Sequence, residues 1–182
     1  VEQSIVSLVK QSMIAINSIG QSKSLWLYFL SLILFASNRK LNESEKEFIN
    51  EKFDVFCRDW SAHGSQLKAS FQIFDNQILV LGADEDFEPA SGCSIDRSTA
   101  IFQEIDQELK IDLFNRLNLV FKENSEIVIV RMADIQSAYD SQKISDTSTF
   151  FDNSVNTLLD IRTRWEVPFN ESWAYAKIKI NA

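Results

Sequence analysis

The sequence holds one histidine, His63, and its imidazole is the only side chain here whose ordinary pKa suits general-base chemistry at neutral pH. Any histidine-dependent mechanism has to use it. Of the two cysteines, Cys57 and Cys93, the second lies in Ser91-Gly92-Cys93-Ser94-Ile95-Asp96-Arg97. Ser94 reads as the N-cap of a helix. That sets Cys93 beside the first turn, where unpaired N–H groups and the helix dipole favour a thiolate or a bound anion. Arg97 adds to that attraction and Asp96 opposes it. A thiol-dependent hydrolase or transferase would use Cys93 as nucleophile and His63 as base, with Asp84 or Asp96 orienting the imidazole. The leading reading is instead a binding or accessory protein. Trp60, Gly64, Gly92, Ser94, Asp96 and Arg97 then form its recognition pocket around Cys93 and His63, for a small molecule or a protein. The plain structural alternatives are a buried thiol plugging the helix start and a His63 that ends a helix with Gly64 as its left-handed cap.

Thirty positions separate the two residues, so the fold has to bring them together. A hairpin does this. Leu67, Ala69, Phe71 and Ile73 alternate with polar residues, as in a half-buried strand. Asp75-Asn76 then turns the chain into a second strand at 78–81. A hairpin returns the chain to where it began, so the segments before Leu67 and after Ala83 are expected at one end of a sheet.

The surrounding elements follow from periodicity and caps. Ile5, Leu8, Val9, Met13 and Ile16 mark an amphipathic helix over 1–18, and residues 1–24 read as an extension of a single domain spanning 25–182. The apolar run 25–36 covers twelve residues, too few to cross a hydrocarbon core that needs about 20. It reads as a buried strand, with a signal-peptide apolar region as the alternative. Asn42 caps a helix, with Glu45 at the capping-box position and Phe48, Ile49, Phe53, Phe56, Cys57 and Trp60 as its buried stripe. Ile95, Phe102, Ile105 and Leu109 mark another helix, followed by a hairpin at 117–130 that turns at Glu123-Asn124-Ser125. A short helix at 134–139, a strand at 147–151 and a last helix at 154–164 complete the order. Trp165, Phe169 and Trp173 then form an aromatic lid. This is an α+β pattern: a largely antiparallel sheet built from two hairpins, with helices packed mainly on one face.

Composition narrows the function. The formal net charge is −8 and no basic stripe is present, which argues against a nucleic-acid partner. Two cysteines make neither a disulfide framework nor a zinc site, so reduced thiols and a cytoplasmic location are expected, with export as the alternative if 25–36 belongs to a signal peptide. An EF-hand starting at Asp84 would need Gly at position six and Glu at position twelve, where Pro89 and Ile95 stand. Gly20, Gly64, Gly82 and Gly92 are isolated, so no phosphate loop exists. No metal, cofactor or integral membrane segment is expected.

Five groups of residues carry a resemblance: Asn38-Arg39-x-Leu41; Trp60-x-x-His63-Gly64-x-x-Leu67; Gly92-Cys93-Ser94-Ile95-Asp96-x-Ser98; Asp112-Leu113-Phe114-x-Arg116; and Trp165-Glu166-Val167-Pro168 with Ser172-Trp173. In this order they resemble a family of uncharacterised bacterial proteins, some of which carry an automatic label of ABC transporter ATPase. The resemblance spans about residues 30–175. It implies a compact cytoplasmic protein and a helical extension at 1–18, and it supplies no catalytic residues. The transporter label finds no phosphate loop here to support it.

Overall fold

The computed structural model describes residues 30–84, 92–156 and 160–179. Its first sheet has the order β1–β5–β4, all antiparallel: β1 is Leu30–Ala36, β4 Lys68–Phe74 and β5 Ile78–Asp84. Two helices cover one face, α1 at Glu43–Asp59 and α2 at Gly92–Leu109. A second antiparallel sheet has the order β7–β6–β8–β9, with β6 at Asn118–Glu123, β7 at Glu126–Arg131, β8 at Thr149–Phe151 and β9 at Glu166–Pro168. Its outer face carries the short helix α3, Ile135–Asp140, and the 3₁₀ turns Phe169–Glu171 and Trp173–Lys177. The class is α+β with antiparallel sheets. The two hairpins do not share one sheet: each builds its own, and the sheets stack between two helical layers.

Two-sided burial explains the most apolar stretches. On β5, Leu79, Leu81 and Ala83 face the helices while Ile78 and Val80 face the second sheet. β1 divides likewise, Ile33 and Phe35 against the helices and Leu32 and Leu34 against Val120, Phe151 and Trp165. A strand buried on both faces reads as a continuous apolar run, which accounts for the hydropathy of residues 30–36. No helix among the described residues is long and apolar enough to cross a membrane. The expected helix at 1–18 and the run from 25 to 29 lie outside the described residues, as do residues 85–89 of the acidic loop expected from Asp84 to Pro89, whose first residue ends β5.

Local chemistry sets the elements. The Asn42 side chain accepts from the Glu45 N–H while the Glu45 carboxylate accepts from the Asn42 N–H, the reciprocal box expected there. Ile49, Phe53 and Trp60 are buried, and the Phe53 ring stacks on Phe71 of β4 with centroids 3.7 Å apart. The turns Asp75-Asn76 and Asn124-Ser125 hold positive φ at both central residues. Asn and Asp tolerate that region better than most side chains do.

Three expectations are corrected. Ile95 does not join the buried stripe of α2 but stands 47% exposed, because Ser94, Ser98, Ile101, Phe102 and Ile105 occupy the buried arc. Residues 154–156 are not helical, and 157–159 lie outside the described residues. Among the described residues, Asp160 and the wide turn Ile161–Trp165 are helical, so the expected helix is met at 160–164 and not at 154–156. The Trp165 carbonyl accepts from the Asp152 N–H at 2.8 Å, and its Nε1–H donates to Asn153 at 3.2 Å, which ties the end of this turn to the residues after β8. Nor is the aromatic group simply a lid: Trp165 lies fully buried between the sheets and Phe169 in the outer core, and only Trp173 stays half exposed.

Candidate functional site

The first hairpin returns its backbone to one end of the sheet, as its pattern predicts. Lys68 pairs with Asp84 and Ala69 with Ala83, so the chain enters β4 and leaves β5 at one end of the first sheet. At that end α1 stops at Asp59, because Trp60 is extended at φ −73° and ψ 121°. His63 and Gly64 are therefore not a helix terminus. They form the two-residue tip of a small hairpin, β2 (Ser61–Ala62) with β3 (Ser65–Gln66), at φ 49° and 85°. Such a tip needs positive φ at both positions, which Gly supplies freely and His accepts more readily than most residues.

The start of α2 meets this hairpin. The Trp60 indole N–H donates to the Ser94 carbonyl at 2.9 Å in a buried contact, and Arg97 donates to the Asp59 carbonyl at 3.5 Å. Trp60, Ser94 and Arg97 are thus brought together. The helix begins at Gly92, so Ser94 is not its cap; it is buried in the first turn. Successive helical residues point about 100° apart, so when Ser94 faces inward Cys93 turns outward. It is exposed and is no plug. His63 and Asp96 are exposed as well. Among the described residues no hydrogen bond joins the Cys93 thiol to His63, and neither pairs with a third group. A Cβ on Gly92 would meet nothing within 4 Å, so no close approach requires a glycine there. Cys57, by contrast, is half buried, and burial followed by the nearby Asp54 carboxylate pushes its thiol up to about 11.

Neither Cys93 nor His63 lines any of four cavities at the surface, and of the residues expected at the site only Arg97 does, in a groove of about 710 Å³ between α1 and α2. The most enclosed of these cavities lies elsewhere, where the two sheets diverge, with a volume of about 610 Å³. Its floor is Leu32, Leu34, Val120 and Phe151, all buried. One wall is the loop from 112 to 118. Asp112, at φ 57°, accepts through one carboxylate oxygen from the side-chain amides of Asn115 at 2.9 Å and Asn118 at 3.0 Å. The Asn38 N–H donates to the Ile111 carbonyl at 2.9 Å and fastens this loop to the end of β1. Arg116 sits on the same wall, exposed, and makes no ion pair with a described residue. Opposite stand Asp152 and Asn153, with Arg164 paired to Asp152 at 3.3 Å. Trp173 closes the side, edge-on to Phe150 with centroids 5.7 Å apart.

An apolar floor with convergent amides, a guanidinium and an indole is the usual make-up of a small-molecule pocket of this size. No sequence motif marks it as a site. Arg116 and Trp173 stood out in the sequence only as parts of a resemblance and a lid, since residues 32, 116 and 173 become neighbours only through the stacking of two sheets. Comparison with family models, with curated proteins and with solved structures returns no match.

Proposed function

We propose that this protein is a binding or accessory module rather than a thiol enzyme, and that its ligand site is the cavity between the two sheets. One observation carries the reading: a guanidinium without an ionic partner among the described residues lines the same cavity as an exposed indole, over an apolar floor, in about 610 Å³. Arg116 suits a carboxylate or phosphate, which it can grip with two parallel N–H donors. Trp173 and Phe151 suit a planar or apolar body. The ligand class is therefore a small anion with an aromatic or aliphatic portion. His63, Cys93 and Arg97 are exposed at their end of the first sheet and Trp60 is buried beneath them, and the thiol reading wants both a cleft and a sulfur–imidazole contact there. Two free cysteines accord with a cytoplasmic setting.

The test is a thermal-shift screen of aromatic carboxylates and phosphates. A ligand at 100 times its Kd adds about 2.7 kcal/mol, which raises Tm by about 5–10 °C in a protein of this size. Arg116→Ala and Trp173→Ala should each abolish the shift while keeping the ligand-free Tm. A shift that survives both substitutions, or a screen without any shift, overturns the proposal.

A further inference from the structure

Two side-chain amides line the cavity between the sheets, and the chemistry of their partners fixes which end of each is left for a ligand. An ionised carboxylate can only accept and an indole N–H can only donate. On the first wall Asp112 Oδ2 accepts from Asn115 Nδ2 at 2.9 Å and from Asn118 Nδ2 at 3.0 Å, so both amide nitrogens are held. Asn115 Oδ1 in turn accepts from the Leu117 N–H at 3.1 Å. Asn118 Oδ1 accepts from no donor among the described residues. Asn118 stands two positions before Val120 in β6, so the two side chains share the face that forms the cavity floor. This wall offers an acceptor, two positions from the guanidinium of Arg116.

The opposite wall has the reverse polarity. The indole N–H of Trp165, fully buried between the sheets, donates to Asn153 Oδ1 at 3.2 Å. The amide oxygen of Asn153 is thus engaged, while its Nδ2 bonds no described residue. Asp152 beside it has both oxygens occupied. Oδ1 accepts from the Ser154 N–H at 3.0 Å and the Ser154 hydroxyl at 2.6 Å, and Oδ2 from Arg164 at 3.3 Å. Asn153 therefore turns a donor, not an acceptor, towards a ligand.

We propose that the ligand is a heterocyclic acid rather than a hydrocarbon one, with a ring N–H or O–H donor on the edge that carries its acidic group and an acceptor on the opposite edge. Asn118 Oδ1 receives the donor, Asn153 Nδ2 holds the acceptor, and Arg116 takes the acidic group beside the donor. This assignment rests on the cavity being the ligand site, and it makes Asn118 and Asn153 the residues that set specificity. Asp112 is a positioning residue, which acts only by holding the Asn118 nitrogen away from the ligand. A ligand lacking the matching group leaves a desolvated amide unpaired, and that cost rejects it.

The probes are three bicyclic acids of nearly one shape. In 4-quinolone-2-carboxylate the ring N–H lies beside the carboxylate and the ring carbonyl on the opposite edge. In chromone-2-carboxylate an ether oxygen replaces the N–H, and naphthalene-2-carboxylate has neither group. Isothermal titration should rank their affinities in that order, each step about tenfold. Asn118→Val should level the quinolone with the chromone, with Asn118→Ala as the second variant should Val not fold there. Asn153→Asp keeps the acceptor for Trp165 and should remove the advantage of the chromone over the naphthalene acid. Equal binding of all three acids, lost in Arg116→Ala, overturns the donor and acceptor assignment while keeping the cavity as the site. An order of affinities that the Asn118 and Asn153 variants retain overturns it as well. No binding of any of the three overturns both the assignment and the cavity as the site.

Discussion

Two side chains test the local environment directly. Cys93 is exposed on the first turn of α2, whereas Cys57 is half buried with its thiol pushed up to about 11. Because the thiolate is the reacting form, iodoacetamide at pH 8 should label Cys93 at least tenfold faster than Cys57, as read by peptide mass spectrometry. Labelling of Cys57 first would show that the cover from α1 and β4 is absent. Glu166 tests the space between strands. Its Oε1 is buried without a hydrogen-bond partner among the described residues, and burial raises its pKa against the opposing pull of Lys122. The folded state thus favours the protonated form, so the contribution to stability is present below the ordinary carboxylate range and is lost as pH rises through the raised value. Glu166→Gln should therefore be more stable than the parent at pH 7, with the gap closing towards pH 4 in urea melts. A loss of stability at pH 7 would mean that attraction to Lys122 outweighs desolvation.

At the scale of elements, the start of α1 is the cleanest case. Asn42 and Glu45 satisfy one another's backbone donors, and Arg39 joins Glu45 through two nitrogens at 2.7 and 2.9 Å. The guanidinium and the cap hold the Glu45 carboxyl below its ordinary range. Asn42→Ala should cost about 1 kcal/mol, measured as the urea midpoint at pH 7. Asn42→Asp should cost much less, because the acceptor is kept. An Ala variant as stable as the parent would show that water replaces the cap without penalty. Much of this element was legible beforehand, since a capping box and a 3.6-residue stripe are local signals. The helix expected at 154–164 was legible only in its second half: residues 160–164 are helical, whereas 154–156 follow the end of β8, where the Asp152 side chain accepts from the Ser154 N–H.

At the scale of the molecule, β1 joins both cores. A chain beginning at Ser37 loses Leu32 and Leu34 from between the sheets and Ile33 and Phe35 from beneath the helices. Four apolar side chains at about 1.5–3 kcal/mol each amount to roughly 6–12 kcal/mol, against a typical total stability of about 5–15 kcal/mol. That chain should show no cooperative thermal transition in circular dichroism. Cooperative melting near the parent midpoint would mean that the second sheet stands without β1. The same two-sided burial makes the cavity between the sheets depend on β1, which supplies Leu32 and Leu34 to its floor.

What the sequence by itself determined is the local grammar. The α+β class, both hairpins with their turns, the boxed start of α1 and the common end of β4 and β5 all rest on caps, turn residues and periodicity within some twenty positions of chain. Tertiary structure alone decided how these pieces face one another. Alternation within a strand says which residues share a face but not whether one sheet or two will cover it, so the stacking of the hairpins could not be read from their patterns. The site moved for the same reason. Cys93 and His63 arrive at one end of the sheet as the hairpin requires, yet the buried arc of α2 centres on Ser94 and Ser98 and turns the thiol outward. Arg116, Trp173 and Leu32 are far apart in the chain, and only the packing of one sheet on the other makes them walls and floor of one cavity.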